Sequence, residues 1–200
     1  MKIRGKHPVC ARTKTDWYSF DHAFINNRGE IGAPVGVGYE NFGATGIGKS
    51  TFSYSLAGKL AKAQDSDIVL SDFEGYDEQF LEGVLSSVGF DGTVDVVSDE
   101  EDEKQLMESL DKLSGKDKAT HVLILDSVSA ITPIAEQKGD IGEANMGKRA
   151  SAMAQFSRRA LHIFRFSKQP KTIIAINHWR PKMGGYGYEA PGGETKNFLL

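Results

Sequence analysis

Gly43-Ala44-Thr45-Gly46-Ile47-Gly48-Lys49-Ser50 has the form G-x-x-x-x-G-K-[ST], the spelling of a phosphate-binding loop. The spelling has a physical basis. Glycines let successive backbone N–H groups turn inward around phosphate oxygens with no Cβ in the way, and a helix beginning near Lys49 points its positive end at the same place. Lys49 would reach the β- and γ-phosphates. Ser50 would offer its hydroxyl to Mg2+, and Thr51 follows as the next residue in nucleotide contact. The alternative is a flexible glycine-rich turn. Against it stand a strand-like segment from Val35 to Phe42 before the loop and a helix-like one from Lys49 to Ala63 after it.

Working outward, alternation continues. Ile68-Val69-Leu70 is a short buried-strand signal followed by the acidic cluster Asp72-Phe73-Glu74. A helix is expected over Asp77 to Val88 and a strand over Val94 to Val97. Ser98 with Glu101 predicts a capping box, which makes the acidic run Asp99 to Glu103 the start of a helix. Val122-Leu123-Ile124-Leu125 ends in Asp126-Ser127, and Thr172 to Ile176 repeats the pattern before Asn177-His178. Nearly continuous apolar strands alternating with helices indicate an α/β fold with a mostly parallel sheet covered on both faces. Ligands bind such sheets at the carboxyl ends of the strands, so the phosphate loop, Glu74, Asp126 and His178 are expected on one edge.

Composition sets the bounds. Two hundred residues, 40% hydrophobic and 26% charged, suit one globular domain, here read as a basic arm over residues 1–15 and a core over 16–200. Lys2, Arg4, Lys6, Arg12 and Lys14 give the arm its charge. It is either a partly ordered terminus or a segment that docks on a neighbouring subunit or a phosphate backbone. Trp17, Phe20 and Phe24 share one face of a short helix expected over Asp16 to Phe24. A net charge of −3 gives no general attraction to nucleic acid, so DNA binding would need a local basic patch. The single Cys10 excludes an internal disulfide framework, and no apolar run reaches membrane-spanning length. The expectation is a cytoplasmic protein of a bacterium or an infected host cell, with no membrane partner.

Four groups of residues carry chemistry. Asp126, at a strand end, is placed as the second Mg2+-associated carboxylate beside Ser50. Glu74 is either a solvated acid or the carboxylate that deprotonates water in line with the γ-phosphate. His178 is either a plain strand-end histidine or a contact to the γ-phosphate. Beyond Asp126, the glycine-punctuated loop Glu136 to Gly147 leads into a helix over Lys148 to Phe166. Its Ala150, Met153, Phe156, Ala160, Ile163 and Phe164 share a core face opposite Lys148, Gln155, Arg158, Arg159, His162 and Arg165. That basic face is either solvated or a footprint for a phosphate backbone. Last, Trp179, Arg180, Lys182, Tyr186 and Tyr188 are interleaved with glycines up to Gly193. Stacking and phosphate contact suit single-stranded nucleic acid, though such a loop would equally clamp a protein or a base.

The order of these motifs, and several whole stretches, resemble the ATPase core of the RecA recombinase family, including phage recombinases of the UvsX kind. The likeness runs from Ser19-Phe20-Asp21-His22-Ala23 through the phosphate loop, Asp72-Phe73-Glu74 and Leu123 to Ala130. It continues through Gly139-Asp140-Ile141-Gly142, Asn145-Met146-Gly147, Ile176 to Arg180 and Gly192-Gly193. The resemblance implies ATP and Mg2+ as cofactors, Glu74 with Lys49 as the catalytic pair, and Asp77 and Phe80 near the adenine. Gly139 to Gly147 would be a first DNA-binding loop and His178 to Gly193 a second. Met146 would wedge between bases, Arg158 would approach the backbone, and Lys148 and Arg149 would stand in for a basic residue replaced by Ser151. Histidine at 178 implies a phage-like origin. The implied activity is that of a DNA-dependent ATPase that assembles as a homo-oligomer, filament or ring, on single-stranded DNA. It would then pair that strand with duplex DNA. A core-only annealing protein, a helicase-like motor and a non-hydrolysing nucleotide-gated subunit remain as alternatives. The family's N-terminal oligomerisation helix is missing or reduced. Leu200 falls before its sheet-completing strands, which implies a truncated or minimal core lacking its last strands.

Overall fold

A run of apolar residues with no polar alternation can be buried on both faces only if helices cover both sides of a parallel sheet. The computed structural model has that arrangement; it describes residues 33–115, 120–132, 148–181, 186 and 188–189. The 1–15 arm, the helix expected over Asp16 to Phe24 and the loop Glu136 to Gly147 lie outside the described residues. In chain order the elements are β1 (Gly38–Gly43), α1 (Lys49–Ala63), β2 (Asp67–Asp72), α2 (Glu78–Ser87) and β3 (Val94–Val97). Then come α3 (Asp102–Ser114), β4 (Thr120–Asp126), α4 (Lys148–Phe166) and β5 (Thr172–His178). Strands β1 to β5 form one parallel sheet in the order β1-β5-β4-β2-β3. A separate short pair, β6 (Arg180–Pro181) and β7 (Tyr188–Glu189), is antiparallel.

The period of two along each strand divides the interior into two cores. Ile68, Leu70, Val122, Ile124, Ile174 and Ile176 pack with Leu56 and Leu60 of α1 and Leu81 and Leu85 of α2. Their neighbours Val69, Leu123, Leu125, Ile173 and Ala175 pack with Leu106 and Leu110 of α3 and Met153 and Phe156 of α4. Each fully buried aliphatic side chain contributes about 1.5–3 kcal/mol relative to exposure. Removing either helix layer would therefore expose one whole face of the strands.

Two local expectations are corrected. β1 begins at Gly38 rather than Val35. Gly36 adopts φ +77° and donates its N–H to Thr172 Oγ1 at 3.1 Å, a turn that keeps Val35 to Val37 out of the strand while Ile173 still bonds to the Val37 carbonyl. The capping box at Ser98 does not form, and α3 opens after Glu101 with no side-chain cap. Buried Gln105 explains the delay. Its amide donates to the Asp72 carbonyl at 2.7 Å and to Ser71 Oγ at 3.2 Å, while its carbonyl accepts the Asp99 N–H at 3.0 Å, holding the segment against the end of β2. On α4, Met153, Phe156, Ala160 and Ile163 are buried as expected, and Gln155, Arg158, Arg159, His162 and Arg165 are exposed. The basic face is not uniform, however: Arg159 reaches Asp111 of α3 at 2.6 Å.

At the amino end of the sheet His121 is buried, and its Nδ1 has no hydrogen-bond partner among the described residues. Burial first, and the nearby Lys171 charge second, hold its pKa below the ordinary value. The unfolded chain binds that proton more readily. The stability tied to neutral His121 is therefore present above about pH 6.5 and is lost as pH falls toward the lower folded pKa. His121→Gln should flatten this loss, measured as the unfolding midpoint between about pH 7.5 and about pH 5.5. Parallel slopes in the two proteins would refute the assignment.

Candidate nucleotide site

The loop between β1 and α1 is built from backbone conformations that favour glycine. Gly46 and Gly48 have φ of +79° and +88°, and Gly48 is the N-cap of α1 with no side-chain cap. Among the described residues, nothing beyond the adjoining residues lies within 4 Å of where a Cβ would stand at either position, so conformation rather than crowding selects glycine there. Residues Ala44 to Gly48 are exposed, Ile47 among them, as is Thr51. Lys49 is buried, and its Nζ donates to the Ala44 carbonyl at 2.7 Å. Asn41 ties the helix start to β1, donating to the Lys49 carbonyl at 2.9 Å and to Ser53 Oγ at 3.2 Å.

Parallel pairing brings the acids to this loop. Asp72 of β2 is in register with Asp126 of β4, and Gly43 of β1 with His178 of β5. The Asp72 carboxylate accepts the N–H groups of Glu74, Gly75 and Tyr76 at 3.2, 2.9 and 3.1 Å, folding the turn that carries Glu74. Glu74 Oε1 accepts the Ser127 hydroxyl and lies 3.4 Å from His178 Nε2. Ser127 in turn shares a 2.7 Å contact with Ser129 Oγ. On its other side the His178 ring places Nδ1 3.4 Å from both Lys49 Nζ and Thr45 Oγ1. An ammonium can only donate, so Nδ1 accepts and Nε2 carries the hydrogen toward Glu74. One imidazole thus touches both the loop lysine and the candidate base.

Asp126 is buried, and the Tyr54 hydroxyl donates to its Oδ2 at 2.7 Å. Burial is the main cause that pushes its carboxyl pKa above the usual range, with the charges of Glu74 and Asp72 adding to it. Hydrogen bonds from Tyr54 and Ser50 act the other way. Burial and the same carboxylate drive the Tyr54 pKa upward. The Ser50 hydroxyl and the Asp126 carboxylate are hard oxygen donors, the kind Mg2+ takes alongside phosphate and water oxygens. Among the described residues no group of three or more His, Cys, Asp or Glu side chains is arranged to hold a metal unaided. The donor set fits a cation shared with a nucleotide.

Other expected residues stand apart from this cluster or outside the described set. Asp77 caps α2, accepting the Phe80 N–H at 3.0 Å. Arg158 is exposed on α4. Trp179 follows β5 directly, donates its N–H to the Gly43 carbonyl at 3.2 Å and lies 6.4 Å from the Phe42 ring in a tilted pair. Lys148 and Arg149 open α4 and Arg180 lies in β6, whereas Met146 and Lys182 are outside the described residues. Sequence reasoning missed Tyr54, Ser127 and the turn-building role of Asp72. Only Asp72 left a signal, as the Asp that precedes a glycine turn.

Residues 13–199 match the family model of the RecA N-terminal domain. The chain belongs to the RecA family. Relatives within that family include protein RecA of Nautilia profundicola, 31% identical over 175 residues, and protein RecA of Sulfurovum sp., 31% identical over 172. Protein RecA of Nitratiruptor sp. is 30% identical over 172 residues. In each case the alignment takes in 84% of this chain but only 47–48% of the relative, so the chain spans about half the length of these RecA proteins. The matched RecA segment contains every site residue described above. No helix among the described residues is long and apolar enough to cross a membrane.

The raised carboxyl pKa has a consequence for stability. Between the unfolded pKa and the raised folded one, the native state holds more protons, so this contribution falls as pH rises through that window and is a standing cost at neutral pH. Asp126→Asn removes the buried charge yet leaves an oxygen for the Tyr54 hydroxyl. Its thermal midpoint at about pH 7 should rise, on the order of 2–4 °C per kcal/mol recovered. A lower midpoint would show that the charge stabilises the fold.

Proposed function

We propose that this chain is the ATP-hydrolysing, DNA-binding core of a RecA-type recombinase. The observation that carries the reading is the position of His178, whose ring lies 3.4 Å from Lys49 on one side and 3.4 Å from Glu74 on the other. In this reading the backbone of Gly43 to Ser50, with Thr51, cradles the triphosphate, and Lys49 neutralises its β- and γ-oxygens. Ser50 and Asp126 hold Mg2+, which supplies positive charge to the phosphoryl oxygens. Glu74 takes the proton of the attacking water, oriented by Ser127 and His178. His178 is also placed to register whether a γ-phosphate is present. Asp77, at the start of α2, is assigned to the adenine in this reading.

DNA would be held by the segments that follow β4 and β5. Arg158, Lys148 and Arg149 of α4, with Met146 before it, form the first contact group; Trp179, Arg180 and Lys182 form the second. Trp179 is bonded to Gly43, so the second group begins where the nucleotide loop begins. The proposal includes a homo-oligomer that assembles on single-stranded DNA in the ATP state and pairs it with duplex DNA, in the cytoplasm. The RecA relatives and the RecA N-terminal domain match support it at the level of family.

Two outcomes test the proposal. Purified chain should hydrolyse ATP faster with single-stranded DNA than without it, and Glu74→Gln should lower turnover by roughly 10²–10⁴-fold while ATP still binds. Bound ATP with no turnover, with or without DNA, would remove the motor reading and leave a nucleotide-gated subunit. Separately, replacing Arg180 and Lys182 together by alanine should reduce the slope of log affinity against log salt by about 1 to 2. An unchanged slope would move the DNA site elsewhere.

A further inference from the structure

Ser50 and Tyr54 are four residues apart on α1, so their side chains stand one above the other on the same helix face. That face meets the end of β4. The Tyr54 hydroxyl donates to Asp126 Oδ2 at 2.7 Å, and both residues are buried, at 3% and 7% exposure. The tyrosine ring is itself part of the apolar core with Leu81 and Leu85 of α2, and it lies 6.1 Å from the Phe80 ring in a tilted pair. A carboxylate held by one oxygen in this way loses its freedom to rotate about Cβ–Cγ and presents its other oxygen in a fixed direction.

We propose that Tyr54 is a positioning residue for the Asp126 carboxylate, holding Oδ2 and leaving Oδ1 as the oxygen that would meet the Mg2+ that Ser50 and Asp126 would share. The inference rests on the metal reading given above. It adds a residue that carries no phosphate-loop motif and that no acid–base pattern singles out. Tyr54 acts through Asp126 and touches neither nucleotide nor metal. Its effect therefore belongs to the metal dependence of nucleotide binding rather than to nucleotide binding as such.

The test is equilibrium binding of a fluorescent ATP analogue to the whole chain, in EDTA and across a series of free Mg2+ concentrations. Tyr54→Phe removes one oxygen and keeps the ring. The Mg2+ concentration that half-maximally tightens binding should rise about 10-fold or more, the range found for partners of metal ligands. Affinity in EDTA and the circular dichroism spectrum should stay as in the parent. Equal loss of affinity with and without Mg2+ would identify a packing role and overturn the inference, as would an unshifted Mg2+ midpoint. Asp126→Asn separates this inference from the reading beneath it. If that variant keeps a full Mg2+ response, the metal site itself is misassigned. If it loses the response while Tyr54→Phe keeps it, the metal site stands and the role of Tyr54 falls.

Discussion

The parallel register of the sheet is the constraint on which the rest depends. β1 pairs with β5 so that Gly43 stands beside His178, and β2 pairs with β4 so that Asp72 stands beside Asp126. Because all five strands run the same way, every one of these residues emerges at the same edge. Side chains alternate with a period of two, so a slip of one residue in either pair would do two things at once. It would turn Ile124 and Ile174 out of the core they share with α1 and into the one lined by α4, and it would turn Asp126 or His178 away from the phosphate loop. The fit of the two cores and the assembly of the site are therefore one condition. Burial of the strands enforces the geometry of residues that contribute little to burial themselves.

Three carboxylates converge on this edge, and the structure treats each differently. Asp72 accepts backbone N–H groups from the turn that follows it and is a builder of that turn. Asp126 is enclosed and met by hydroxyls. Glu74 is the most exposed of the three and has a serine hydroxyl and an imidazole for partners. Environments that differ this much give chemically similar groups different work. A buried carboxylate with no lysine or arginine paired to it among the described residues suits a cation that arrives with the nucleotide. An exposed one facing a proton donor or acceptor suits traffic with water.

Much of this was legible in the sequence, and the limits have a common cause. The strands were visible because their apolar runs are local, and the phosphate loop because its glycines and lysine are contiguous. Alternation of strand and helix is enough to place Glu74, Asp126 and His178 on one edge. Tyr54 was not legible because its partner is 72 positions away, and Ser127 was not because it answers to a residue 53 positions back. Neither pairing leaves a trace in spacing or periodicity. The failed capping box at Ser98 is instructive in the same way. A local rule gave the helix an earlier start, and a buried glutamine bonded to the distant Asp72 carbonyl overrode it. The first expected strand started late for a related reason, since Gly36 bonds to Thr172 of β5 rather than continuing the ladder.

The same long-range bonds shape how the two halves of the proposed function are joined. Coupling between sites needs a physical element that both sites bias. Here the element is short. His178 is the last residue of β5, and its ring contacts the loop lysine and Glu74. Trp179 comes next in the chain and is bonded through its backbone to Gly43, the first residue of the phosphate loop. The Phe42 and Trp179 rings lie against each other on the outer side of that bond. A displacement of the imidazole is therefore passed to the following segment by covalent adjacency, with no chain of packed side chains to cross. The strand behind it is paired with β1 and β4 on its two flanks. If His178 meets the nucleotide as proposed, its place at the end of a central strand ties that contact to the sheet on one side and to the segment assigned to DNA on the other.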